Sequence, residues 1–250
     1  MQVVVDSLLT QYARRGSGKT VLILHGWGDN SKGMVALVSE LAQKYDVIAV
    51  DLPGFGGTQQ PPQAWDLTNY AQFVRHFLQK IDATDLYAVV GHSNGGGVAV
   101  RGLAKGMLTA QKLVLLGSAG IRGEYKGRNK ALRIVAKTGK ALTMPLPKSV
   151  KSKLQRKVYK TIGSDMLVVE SLQETFKKVV NDDVRADAAQ VAVPTLIVYG
   201  QNDEQTPPRY GEIFKQAIAT SQLHVIPDAG HFVHLDQPQK TTSLIKEFLA

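Results

Sequence analysis

Cysteine is absent from the 250 residues, which excludes disulfides, thiolate nucleophiles and cysteine metal sites. Histidine and carboxylate spacing gives no zinc signature, so neither a metal nor a cofactor is expected. No segment approaches 18 uninterrupted apolar residues, and the opening stretch MQVVVDSLLTQYARR lacks a basic region followed by a long apolar one. The expectation is a soluble, cytoplasmic protein without a secretory signal. Two apparent nucleotide loops also fail. ARRGSGKT has Ala13 where the phosphate-binding pattern needs glycine, and it precedes a strand rather than following one; GFGGT has Gln59 where GxGxxG needs its third glycine.

What is present is a chain 44% hydrophobic, long enough to bury a sizeable core in one domain. Short β-branched runs suit buried strands near Val3 to Val5, Val21 to Leu24, Val47 to Asp51, Tyr87 to Gly91, Leu113 to Leu116, Thr195 to Tyr199 and Leu223 to Ile226. Leu67, Tyr70, Val74, Phe77, Leu78 and Ile81 recur at helical spacing between two of them. This alternation predicts an α/β fold, a doubly wound and mostly parallel central sheet flanked by helices. It breaks between about Gly120 and Val191. There Val150, Leu154, Val158 and Ile162 form one helical stripe and Val168, Leu172, Phe176 and Val180 another, with Ser149 and Ser164 as N-caps. A core of residues 1–119 and 190–250 with a helical insertion at about 120–189 follows.

The stretch VVGHSNGGG places Ser93 between Gly91 and Gly95, after a strand-like run and before a helix-like one. Free serine is a poor nucleophile and needs both an exposed oxygen and an adjacent base. A sharp strand-to-helix turn of the form GxSxG exposes the oxygen, provided that the residues two before and two after it are small. The alternative is an ordinary glycine-rich turn. A base and its orienting acid are expected later in the chain, past the carboxyl ends of strands, where sites form in parallel sheets. Asp203 in PTLIVYGQNDEQTP and His231 in LHVIPDAGHFVHL meet that expectation. Asp228, Glu204 and Asp236 are rival carboxylates, and His234 is a rival base; His25 and His92 suit structural hydrogen bonding, and His76 and His224 packing or surface positions.

LHGWG at 24–28, DLPGFGGT at 51–58, GHSNGG at 91–96 and the pair GQNDEQTP and AGHFVHLDQP together resemble the α/β-hydrolase superfamily across nearly the whole chain. The resemblance implies Ser93 as nucleophile, His231 as general base and then acid, and Asp203 as the group that fixes the imidazole tautomer. It also implies an oxyanion hole made by the N–H groups of Trp27 and Asn94. The expected activity is cleavage of a small carboxylic ester or related acyl compound through an acyl-enzyme. Carbon–carbon or amide hydrolysis with the same triad, as in ring-cleavage-product hydrolases and iminopeptidases, stays open, as does a slow-turnover ligand-binding member. A carboxylate nucleophile, as in dehalogenases and epoxide hydrolases, is excluded by Ser93.

From Arg122 to Lys160 thirteen Lys or Arg residues face one acid, Glu124, so the insertion holds the whole cationic excess behind the net charge of +9. In the family such an insertion is a cap over the active site. Its charge suits an anionic substrate, peripheral contact with an anionic membrane, or a merely solvated face. Only Tyr125 and Tyr159 interrupt the run, which offers no stacking platform, so nucleic acid is not expected as a partner.

Overall fold

The computed structural model describes residues 1–122 and 172–250. The stripe over 150–162, both serine caps and most of the basic run lie outside those residues.

Eight strands form one sheet: β1 (Gln2–Val5), β2 (Leu8–Arg15), β3 (Thr20–Leu24), β4 (Asp46–Val50), β5 (Leu86–His92), β6 (Ala110–Leu116), β7 (Thr195–Gly200) and β8 (Ser221–Ile226). Their order is β1-β2-β4-β3-β5-β6-β7-β8, with β1–β2 and β2–β4 antiparallel and every other pairing parallel. The doubly wound, mostly parallel sheet is thus present. Strand β2 is an addition to the sequence reading. Asp6 and Ser7, both at positive φ, turn the chain as a tight two-residue hairpin requires, and Leu8, Thr10 and Tyr12 point inward from β2.

The helices among the described residues are α1 (Val35–Leu41), α2 (Leu67–Lys80), α3 (Asn94–Ala104), α4 (Gln173–Asn181), α5 (Arg185–Ala188), α6 (Pro208–Ala217), α7 (Val233–Asp236) and α8 (Pro238–Leu249). Period-two alternation divides the apolar side chains of the central strands between two cores. Leu22 and Leu24 of β3, Leu113 and Leu115 of β6, and Ile197 and Tyr199 of β7 pack with α2, α3 and α6. Val21, Ile23, Val114, Leu116, Leu196 and Val198 face the other way, against α1 and α8. Helix α2 begins with a capping box, in which the Asp66 carboxylate accepts from Asn69 N and the Asn69 side chain accepts from Asp66 N; such a cap is worth about 1 kcal/mol. Along α4 the inward residues are Thr175 and Val179, whereas Val180, on the predicted stripe, is 36% exposed. Leu172 of the same stripe is buried and Phe176 is half-buried, and Thr175 Oγ1 accepts from Trp65 N at 3.2 Å.

The far end of α3 is clamped to the segment that joins α4 to α5 and to α5 itself. Arg101 pairs with Asp187 at 2.6 Å and Asp182 at 2.8 Å, and donates to Thr68 Oγ1 at 2.6 Å. Removing the cation would leave Asp182 without its ion pair and Asp187 with only Lys105, at 3.5 Å, in a largely desolvated site. Arg101→Leu should therefore cost about 3–5 kcal/mol in urea unfolding, and adding Asp182→Asn and Asp187→Asn should recover most of it. A loss below about 1 kcal/mol for the single variant would show that the clamp is dispensable.

Candidate active site

Ser93 sits where β5 turns into α3, and its backbone is held at φ +51°, ψ −116°. A serine directly before a helix ordinarily turns its hydroxyl back to accept from the first-turn N–H groups. Here it makes no such bond. The conformation is imposed by packing: a Cβ on Gly91 would lie 2.6 Å from Gly95 O, and one on Gly95 would lie 2.3 Å from Leu24 O. Backbone bonds then fix the turn, from Ser93 N to Leu116 O at 3.0 Å and from Ala119 N to Ser93 O at 2.9 Å. This is the geometry that GxSxG requires, rather than that of an ordinary glycine-rich turn.

His231 and Asp203 come together at the same carboxyl edge. His231 Nδ1 lies 2.9 Å from Asp203 Oδ2, with both residues buried. The other carboxylate oxygen accepts from the N–H groups of Gln205 and Thr206, at 2.9 and 2.8 Å. Thr206 was not visible as a site residue in the sequence. Its single hydroxyl proton is shared between Asp203 Oδ2 at 2.8 Å and Gly117 O at 2.9 Å, and the oxygen lies 3.0 Å from His231 Nδ1. The carboxylate is thereby satisfied on both oxygens and aimed at the imidazole, which favours the tautomer carrying its proton on Nδ1. The other ring nitrogen is then left as the basic one.

Among the described residues Ser93 Oγ has no hydrogen-bond partner. No hydrogen bond joins Ser93 Oγ to the His231 ring, and bonds of this kind are often long or poorly aligned until a substrate is present. The N–H groups of Trp27 and Asn94 likewise have no acceptor among the described residues, and Asn94 opens α3, where backbone donors point outward and the helix dipole favours negative charge. Trp27 is held by an edge-on contact with Phe55, centroids 4.9 Å apart, and a tilted one with Phe176 at 5.1 Å.

The rival carboxylates face elsewhere. Asp228 and Glu204 are exposed, and Asp236 Oδ2 accepts from Gly230 N at 2.7 Å, bracing the His231 loop from behind. His25 is structural: Leu52 N donates to its Nε2 at 2.8 Å and its Nδ1 donates to Gly26 O at 2.7 Å, joining the HGWG and DLPGFGG loops. Asp51 reinforces that junction by accepting from Ser31 N and Gly57 N. His76 is an exposed partner of Asp6, and His224 is half-buried on β8. His234 has no carboxylate within hydrogen-bonding distance, so it lacks the orienting acid that His231 has. Burial first, with neighbouring His234 and His231 next, drives the His92 imidazole well below its ordinary range. Burial likewise lowers His234 to about 4, against a smaller upward pull from Asp29. Asp29, His92 and His234 also form a group of ligand atoms within 4.8 Å of one another, the one such group able to hold a metal ion among the described residues.

Comparison with known proteins places the chain in a family. The sequence pattern of the alpha/beta hydrolase family matches residues 21–243. Lipase 1 of Psychrobacter immobilis is 28% identical over 262 residues, spanning 95% of this chain and 79% of that protein. A monoacylglycerol lipase of Rattus norvegicus is 26% identical over 261 residues, spanning 95% and 77%. Among solved structures, an esterase from Exiguobacterium antarcticum superposes with a TM-score of 0.78 at 24% identity, covering 99% of this chain and 98% of that one. No helix among the described residues is long and apolar enough to cross a membrane.

The positive φ at Ser93 stores strain that a residue without a Cβ would not feel. Ser93→Gly should therefore unfold in urea at higher stability than Ser93→Ala, by about 1 kcal/mol. Both variants lack the hydroxyl, so a more stable Ser93→Ala would mean that the elbow is unstrained, since glycine otherwise costs about 0.4–1 kcal/mol in unfolded-state entropy.

Proposed function

The chain belongs to the alpha/beta hydrolase family, and from that premise we propose that it is a serine hydrolase that cleaves a small carboxylic ester through an acyl-enzyme on Ser93. What carries this reading is the pairing of an uncapped serine at φ +51° with a buried His231–Asp203 couple at 2.9 Å on the same sheet edge. An N-cap serine and a structural histidine–aspartate pair have no reason to share an edge, whereas acyl transfer needs both.

In the proposed reaction, the deprotonated ring nitrogen of His231 takes the Ser93 proton as Oγ attacks the ester carbonyl. Asp203 stabilises the imidazolium and holds the tautomer but does not take the proton itself. The N–H groups of Trp27 and Asn94 receive the negative charge that develops on the carbonyl oxygen; each such donor is typically worth about 10²–10³ in rate. His231 then returns the proton to the departing alcohol, and water repeats the sequence in reverse to release the acid. The substrate class is supported by two relatives, the lipase and the monoacylglycerol lipase, whose names specify ester cleavage.

Two measurements test the proposal. A panel of p-nitrophenyl esters graded by acyl length and charge, run beside an anilide and a vinylogous diketone, should show turnover of esters far above that of the other two. Asp203→Asn should retain the circular dichroism and melting behaviour of the parent while losing about 10³–10⁴ in kcat. Turnover near the parent rate in that variant would remove Asp203 from the acid role, and preferred cleavage of the diketone or anilide would overturn the substrate class.

A further inference from the structure

Asp29 in the loop after β3, His92 at the end of β5 and His234 in α7 are distant in sequence, and no local spacing links them. The fold nevertheless turns their ligand atoms toward one another, all within 4.8 Å. We propose that these three side chains form a binding site for a borderline divalent transition-metal ion, Zn2+ by preference, beside the nucleophile elbow.

The state of each side chain supports the assignment. His92 is 1% exposed and its Nε2 donates to His231 O at 3.1 Å, so the lone pair lies on Nδ1, which has no partner. A ring nitrogen engaged with a backbone carbonyl while the other is free is how proteins orient an imidazole for a metal. His234 is 4% exposed, and neither of its nitrogens has a hydrogen-bond partner among the described residues. Leaving such groups without partners in the interior costs about 1–3 kcal/mol each, so nitrogens that converge in this way call for a common ligand.

Asp29 completes the set with charge. Its carboxylate lies across the backbone at Gly33, where a Cβ would come within 2.0 Å of Oδ1, and no hydrogen bond or ion pair with a described residue occupies it. It is half-buried while both histidines are buried, so it forms the mouth of the site, and the Phe232 ring lies 5.2 Å from that of His92. Two imidazoles and one carboxylate suit zinc and its neighbours rather than magnesium or calcium, which prefer oxygen alone. Bonds of about 2.1 Å put tetrahedral ligand atoms roughly 3.4 Å apart, so from within 4.8 Å the three need to close by up to about 1.4 Å on binding, with the fourth position left to water. The site is independent of the proposed hydrolysis and is testable without it.

The full-length chain, dialysed against EDTA and then into non-chelating buffer at pH 7.5, is titrated with zinc chloride by calorimetry. Cobalt(II) binding is followed in parallel by its visible d–d absorption. The expected result is one saturable equivalent, a raised melting temperature with zinc, and at least a tenfold weaker affinity in both His234→Gln and Asp29→Asn, with His76→Gln unchanged. Asp29→Asn, at the half-buried mouth, keeps the test decisive should the buried His234 variant fold poorly. Absence of a saturable equivalent in the parent chain, or affinity unaltered in Asp29→Asn, would overturn the proposal.

Discussion

The close approach of β5 and α3 to the end of β3 is the constraint from which the rest of the site follows. With no side chain at Gly91 or Gly95, the helix starts against the carbonyl of Leu24, and the intervening serine is forced to positive φ. That conformation keeps the hydroxyl away from its own helix and holds it at the sheet edge. The free energy to hold it comes from two cores packed against opposite faces of the sheet, reinforced by backbone bonds from Leu116 and Ala119. The elbow is rigid because both layers would have to move to relax it.

The same edge concentrates buried polar groups, and they fall into two kinds. Asp203 is satisfied on both oxygens, by two backbone N–H groups on one side and by His231 and Thr206 on the other. His25 is satisfied on both nitrogens. These groups rigidify the loops that carry them. His92, His234 and Trp27 differ, since each keeps at least one buried ring nitrogen without a partner. Interiors rarely tolerate such atoms without a reason, and these cluster around the elbow.

Much of this was legible in the sequence because it depends on local pattern. The central strands announce themselves through β-branched runs, α2 through its helical period, and the elbow through glycines whose spacing reflects a steric need. Asp203 and His231 could be placed because each directly follows a strand. Strand β2 escaped because its inward face includes Thr10 and its far end Arg14 and Arg15, which blur the apolar alternation. Thr206 escaped because a threonine three residues past an aspartate resembles any turn; only the fold shows its hydroxyl between two strands' ends. Asp29, His92 and His234 could not be grouped at all, since nothing in a linear spacing predicts the convergence of a loop, a strand end and a short helix.

The central claim is that His231 and Asp203 make the Ser93 oxygen nucleophilic, and covalent capture tests it most directly. Intact-mass analysis after treatment with a fluorophosphonate should show one adduct per chain, mapped to Ser93, forming rapidly in the parent and orders of magnitude more slowly in His231→Ala. A well-folded parent chain that takes up no probe, or takes it up on another residue, would contradict the account.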